Sequence, residues 1–188
     1  MKLPYILLIP WVALMLLLPA LSAHAASDAI VLGQIGENAP QAWSFLRHYF
    51  EEKGYQVVLY QRGATIEQHV EEVNGLNRGP AKVFLSLELV PAPRTHILVV
   101  MTDAKKGEGR FLTIDQIPAQ FAEESEKLAG FLAGQFSVKV KHLPLFPLLG
   151  LNMPGVFVQV RFKEGELEDT VAKLESGVHR YFRERATR

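Results

Sequence analysis

The chain has 188 residues, with 20 Lys+Arg balanced by 20 Asp+Glu and no cysteine. The charge balance leaves no positive field for a nucleic-acid backbone, and the missing thiols exclude disulfides, thiol nucleophiles and disulfide exchange. A chain of this length holds a core large enough to fold without covalent staples.

Residues 1–25 have the layout of a secretory signal peptide. Lys2 supplies the positive start, Tyr5 to Leu21 is apolar, and Ala23-His24-Ala25 offers a small-residue cleavage site before Ala26. The expectation is export, with the periplasm as destination, and one folded domain over 26–188. Retained, the same segment would be an N-terminal membrane anchor, the one route to a membrane in this sequence. No polar stripe marks a solvent face, so it does not read as a globular helix.

From Asp28 the pattern alternates between strand and helix. D-A-I-V-L-G, Asp28 to Gly33, is a short buried strand. Asn38 and Pro40 can start a helix running to about Lys53, with Trp43, Leu46, Tyr49 and Phe50 on its apolar face and Gly54 as its stop. Tyr55 to Tyr60 is a second strand. Thr65, with Gln68 three residues on, caps a second helix carrying Ile66, Val70 and Val73 and fading at Gly75. Gly79-Pro80 turns the chain into a third strand, Ala81 to Leu89, ended by Pro91 and Pro93. Thr95 to Met101 is a fourth strand, followed by a polar loop from Asp103 to Arg110.

A long helix follows from about Ala119 to Gln135, with Phe121, Leu128, Phe131 and Leu132 on its buried face. Val138 to Pro147 is irregular apart from one short extended piece. Val156 to Phe162 is the last strand, opened by a Pro154-Gly155 turn. Glu166 to Glu184 closes the chain as a helix, with Leu167, Val171, Leu174, Val178, Tyr181 and Phe182 at helical spacing. Near-continuous apolar strands between helices predict a three-layer α/β/α domain with a mostly parallel central sheet.

Few residues carry recognisable chemistry. His48, His69, His96, His142 and His179 fall on five different elements, and no H-x-x-x-H or H-E-x-x-H pair occurs. The helical ones, His48, His69 and His179, read as surface or boundary residues. Ser86 lies within a strand and not at a nucleophile elbow. Gly33-Gln34-Ile35-Gly36 lacks the spacing of a dinucleotide turn. Two polar residues interrupt apolar strands near their C-terminal ends: Glu88 in the third and Gln159 in the last. In parallel α/β sheets ligands gather outside those ends. Glu88 is there either a carboxylate facing water or part of a cleft shared with Gln159, Gln34 and Glu37. An amide at Gln159 cannot serve as a general base, because it has no titratable site near neutral pH.

In order along the chain, V-L-G-Q-I-G (Val31 to Gly36), G-Y-Q-V-V-L-Y-Q-R (Gly54 to Arg62), N-R-G-P-A-K-V-F-L-S-L-E-L (Asn77 to Leu89), S-E-K-L-A (Ser125 to Ala129) and P-G-V-F-V-Q-V-R-F (Pro154 to Phe162) form a set of blocks. This set resembles the zinc-dependent N-acetylmuramoyl-L-alanine amidases of bacterial cell-wall turnover. Their corresponding blocks are D-P-G-H-G-G, G-Y-x-V-x-L-T-R, an asparagine followed by a strand ending S-I-H-A-N, S-x-x-L-A, and P-A-V-L-V-E-x-G-F. The resemblance spans Ile30 to about Phe182. It implies an amidase-like α/β fold and a family site built on zinc.

Residue by residue, the resemblance puts the first zinc-binding histidine on Gln34 and the second on Glu88. The intervening glutamate ligand has only Glu37 near it, and the catalytic glutamate falls on Gln159. The expectation is a scaffold with no catalytic residues of the family type and no zinc, because its ligands are not retained. Such a protein would bind peptidoglycan fragments or regulate another envelope protein. Two other readings stand beside it: a working cell-wall hydrolase with a rearranged site using Glu88, Glu37 and a histidine, and a structural or interaction protein with no ligand cleft.

Overall fold

The computed structural model describes residues 28–36, 39–61, 65–107 and 111–187. The expected signal segment, the Asn38 cap and Glu37 lie outside these residues. Six strands form one sheet: β1 (Ala29–Ile35), β2 (Gln56–Gln61), β3 (Val83–Pro91), β4 (His96–Thr102), β5 (Val140–Leu143) and β6 (Gly155–Phe162). Four helices accompany them: α1 (Pro40–Glu52), α2 (Ile66–Leu76), α3 (Ala122–Phe136) and α4 (Leu167–Ala186). Across the sheet the order is β2-β1-β3-β6-β4-β5.

β1, β2, β3 and β6 run parallel to one another, β4 is antiparallel to β6, and β5 is parallel to β4. The reversal at β4 follows from chain length. Only residues 92–95 join β3 to β4, and a parallel return needs a crossover of a dozen or more residues. The chain therefore turns back at the same end of the sheet and leaves a gap, which β6 later fills.

The alternation of side chains along each strand sorts the core into two layers. Ile30 and Leu32 of β1, Leu85, Leu87 and Leu89 of β3, and Val156, Val158 and Val160 of β6 pack with α1, α3 and α4. The opposite face is thinner. Val31, Tyr60 and Phe84 pack there under Val73 of α2 and the segment carrying Leu148, Leu151 and Met153. The fold is thus α/β with a mostly parallel central sheet, as expected, but its outer layers are unequal. Three helices cover one face, and one helix plus a loop covers the other.

Several local expectations are corrected. α1 begins at Ala39 as cap with no side-chain hydrogen bond, and Pro40 opens its first turn. It ends where Gly54 takes a left-handed conformation (φ 89°). The Thr65 cap is as expected, accepting from the Gln68 amide at 3.3 Å. Of the α2 face, Val73 is buried but Ile66 is 55 % exposed. The residue that replaces Ile66 in the interior is His69, expected at the surface and found fully buried. Its Nδ1 pairs with the Tyr60 hydroxyl, and its Nε2 lies 3.1 Å from the Leu149 carbonyl. Both ring nitrogens are satisfied, which removes the main cost of burying an imidazole. Phe121 belongs to a 3-10 turn, Ile117–Phe121, so α3 starts three residues later than its periodicity suggests.

α3 and α4 cross closely. A Cβ on Gly177 would stand 3.0 Å from the Leu132 Cα and 2.9 Å from its Cδ2, so this glycine lets one helix backbone rest on the other. Gly177→Ala is expected to cost about 1–3 kcal/mol, as overpacking does, read from the denaturant midpoint. Gly130→Ala, on the exposed side of α3 with open space around the added methyl, is expected to be neutral or stabilising by up to about 1 kcal/mol through helix propensity.

Two tyrosines join this helical layer to carboxylates. Tyr181 donates to Glu124 Oε2 at 3.2 Å and Tyr55 to Glu175 Oε1 at 3.2 Å. Burial, and then the Glu124 charge, push the Tyr181 phenol up to about 12. Burial and then Glu175 raise Tyr55 as well. Free phenols ionise near 10 in the unfolded chain, roughly the ordinary tyrosine value. Above that pH the unfolded state therefore binds fewer protons than the native state. The stabilisation is complete below pH ~10 and is lost as pH climbs through the native value. Thermal melts between pH 8 and 12 should show the midpoint falling above pH ~10, with a shallower fall in Tyr181→Phe.

Candidate functional site

Strand register decides which polar residues meet. Ile35, Glu88, Gln159 and Leu98 form one row across β1, β3, β6 and β4. Glu88 and Gln159 share a face, because each follows two residues after a position in the Ser86–Phe157 pair. The Gln159 amide Nε2 donates to Glu88 Oε2 at 2.6 Å. Because the acceptor carries charge, this is one of the stronger kinds of hydrogen bond.

Gln34 does not join them. It pairs with Leu87, one step back along the ladder, and Leu87 belongs to the layer under α1, α3 and α4. Its side chain starts on the opposite face and donates to the Gly36 carbonyl at 3.1 Å. Glu37 lies outside the described residues. Of the four sequence candidates, the structure brings Glu88 and Gln159 together and sets Gln34 apart from them.

Polar residues within the sequence blocks position this row. The Asn77 side chain donates to the Gly150 carbonyl (2.9 Å) and accepts from the Asn152 amide (2.9 Å), so it holds the loop that leads into β6. Ser125 of α3 accepts from the Gly155 amide at 3.0 Å, fixing the first residue of β6 against the helical layer. The Phe84 amide donates to the Pro154 carbonyl at 2.9 Å, which starts the β3–β6 ladder. These contacts set the register that places Gln159 beside Glu88.

The sheet face opens toward the C-terminal ends of β3 and β6. Ser86 is fully buried, while Glu88 and Val90 are half-buried. Phe157 and Gln159 are half-buried and Arg161 is exposed. Along β4, Val100 is buried, Leu98 half-buried and His96 exposed. On this face Glu88, Gln159 and Leu98 are half-buried, and the paired residues Arg161 and His96 stand exposed beyond them. Sequence reasoning took Arg161 as part of a matched block and His96 as an isolated histidine. Their placement follows from β4 pairing with β6, which no local pattern announces.

A zinc hydrolase needs about three protein ligands and an open position. Among the described residues, no group of three His, Cys, Asp or Glu side chains is placed to hold a metal ion. Glu88 meets an amide donor at Gln159, and Gln34 leaves on the other face. Gln34, Glu88 and Gln159 are thus not arranged as a three-ligand zinc site.

No protein-family model matches the chain, and no curated protein matches it in sequence. Its fold, however, is that of the N-acetylmuramoyl-L-alanine amidases. The apo form of the amidase Ami1 from Mycobacterium abscessus superposes with a TM-score of 0.53 at 12% identity, over 83% of this chain and 99% of that one. The N-acetylmuramoyl-L-alanine amidase from Clostridium difficile 630 gives 0.51 at 12%, over 83% and 97%. The catalytic domain of the CD27L endolysin targeting Clostridia difficile gives 0.53 at 10%, over 81% and 97%. At this identity the likeness is one of architecture.

Gln159→Glu would set two carboxylates at hydrogen-bonding distance. Like charges so close cannot both ionise, so the pair holds a proton with an apparent pKa above that of the unfolded carboxyls. A raised native value gives stability that is present at acid pH and lost as pH rises. The variant should melt below wild type at pH 7, and the gap should narrow at about pH 4, near the ordinary glutamate value. Equal midpoints for the two proteins at pH 7 would contradict the Glu88–Gln159 contact.

Proposed function

We propose that this chain is an exported, amidase-like protein of the bacterial envelope that binds peptidoglycan fragments on the sheet face over Glu88 and Gln159 without hydrolysing them. The observation that carries this reading is the Gln159–Glu88 hydrogen bond at the open ends of two parallel strands. It engages a carboxylate with a group that cannot take a proton from water. The amidase fold favours a cell-wall ligand, and the layout of residues 1–25 favours export to the periplasm.

A hydrolase rearranged around Glu88 and a histidine is less well supported. His96 is on the same face, but β6 stands between it and Glu88. Two strand spacings alone separate them by roughly 9–10 Å, too far for direct hydrogen bonding between base and nucleophile-activating partner.

The test is made on residues 26–188, which hold every element of the described fold. The protein should sediment with purified sacculi, contain well under one zinc per chain after dialysis against zinc, and release no stem peptide from muropeptides. One zinc per chain together with stem-peptide release would overturn the loss of catalysis, and failure to sediment would overturn the wall-binding role.

A further inference from the structure

We infer that Arg161 and His96 form a carboxylate-binding subsite beside the Glu88–Gln159 pair, taking the free carboxylate of an acidic peptide. This rests on the reading of the Glu88–Gln159 face as a peptide-binding surface and adds to it the chemical class of the ligand's recognised end.

The geometry begins with register. Arg161 and His96 are direct cross-strand partners on β6 and β4, so their Cβ atoms are roughly 5 Å apart. They lie two residues beyond Gln159 and Leu98, roughly 7 Å further along the same face. Both side chains are exposed; behind them stand half-buried Gln159, Leu98 and Glu88, and half-buried Val90 flanks Arg161 in the same row.

The chemistry follows from what these two groups lack. Among the described residues Arg161 makes no ion pair or side-chain hydrogen bond, and the same holds for His96. A guanidinium directly opposite an imidazole gains nothing from its neighbour and repels it once the imidazole is protonated. An oxygen anion between them would turn that repulsion into two charge-assisted hydrogen bonds, with the planar guanidinium fork suited to a carboxylate. Val90 beside Arg161 and Leu98 behind His96 add apolar surface. Gln159, whose amide nitrogen is engaged by Glu88, presents its carbonyl as an acceptor for a peptide N–H. The carboxylate of Glu88, set deeper, repels a second acid. This face thus fits a peptide lying with its carboxylate at Arg161 and His96 and an amide at Gln159.

Titration calorimetry on residues 26–188 tests this with three probes: N-acetylmuramoyl-L-alanyl-D-glutamate, its fully amidated counterpart, and an unrelated short peptide ending in L-glutamate. The wild type is expected to bind the acid fragment at least tenfold more tightly than the amidated one. Arg161→Gln should erase that difference while leaving affinity for the amidated fragment within twofold. Because Arg161 is exposed, the variant should keep the wild-type melting midpoint, so a lost preference reports on binding and not on folding. Equal binding of acid and amidated fragments by the wild type would overturn the subsite and leave the wall-binding role standing. Arg161-dependent binding of the unrelated peptide, as tight as that of the wall fragment, would support the subsite and overturn the cell-wall assignment. Sedimentation with sacculi without binding of either acid probe would overturn the subsite alone.

Discussion

The structure depends on the insertion of β6 between β3 and β4. Before that strand arrives, β3 and β4 are two edges held at one end by a four-residue connection, each with a row of unpaired backbone groups. β6 satisfies both rows at once, parallel on one side and antiparallel on the other. It also carries Val156, Val158 and Val160 into the helical layer and Gln159 and Arg161 onto the open face. The contacts around its start follow from this need. Asn77 grips the approaching loop, Ser125 fixes Gly155, and the Pro154 carbonyl begins the ladder.

The unequal layers explain where a ligand can sit. Three helices seal one face along its length. On the other face α2 and the segment around Leu148 pack over β1, β2 and the N-terminal part of β3. The fully buried His69 stitches those two covers together through Tyr60 and Leu149. Toward the C-terminal ends of β3 and β6 stand Glu88 and Gln159, half-buried, and Arg161 and His96, exposed. The C-terminal ends of strands are where an α/β sheet normally offers a binding site. Here those ends carry one carboxylate, one amide, one guanidinium and one imidazole.

Much of this was legible in the chain. The strands and helices appear close to their expected positions, because apolar periodicity, Gly54 and the Thr65 cap are local signals. Glu88 and Gln159 stood out because a polar residue in an apolar strand needs a partner, and each is the other's. His69 was misplaced because a helical stripe of Ile66, Val70 and Val73 seemed complete without it. Only Tyr60 and Leu149, 9 and 80 residues away, make an imidazole acceptable in the core. Gln34 was grouped with Glu88 by the order of the sequence blocks, whereas strand alternation sends it to the other face.

By itself the sequence determined the α/β class, the extent of most elements and the two polar interruptions at strand ends. These depend on periodicities of two and 3.6 residues and on caps that act within a few positions. The tertiary structure decided which strands are neighbours, and with that which side chains meet. The Glu88–Gln159 bond joins residues 71 apart in the chain, and the Arg161–His96 pair exists only because β4 runs back along β6. Pairing order and direction arise from chain connectivity and from the need to satisfy two open strand edges, and neither leaves a mark on the local sequence.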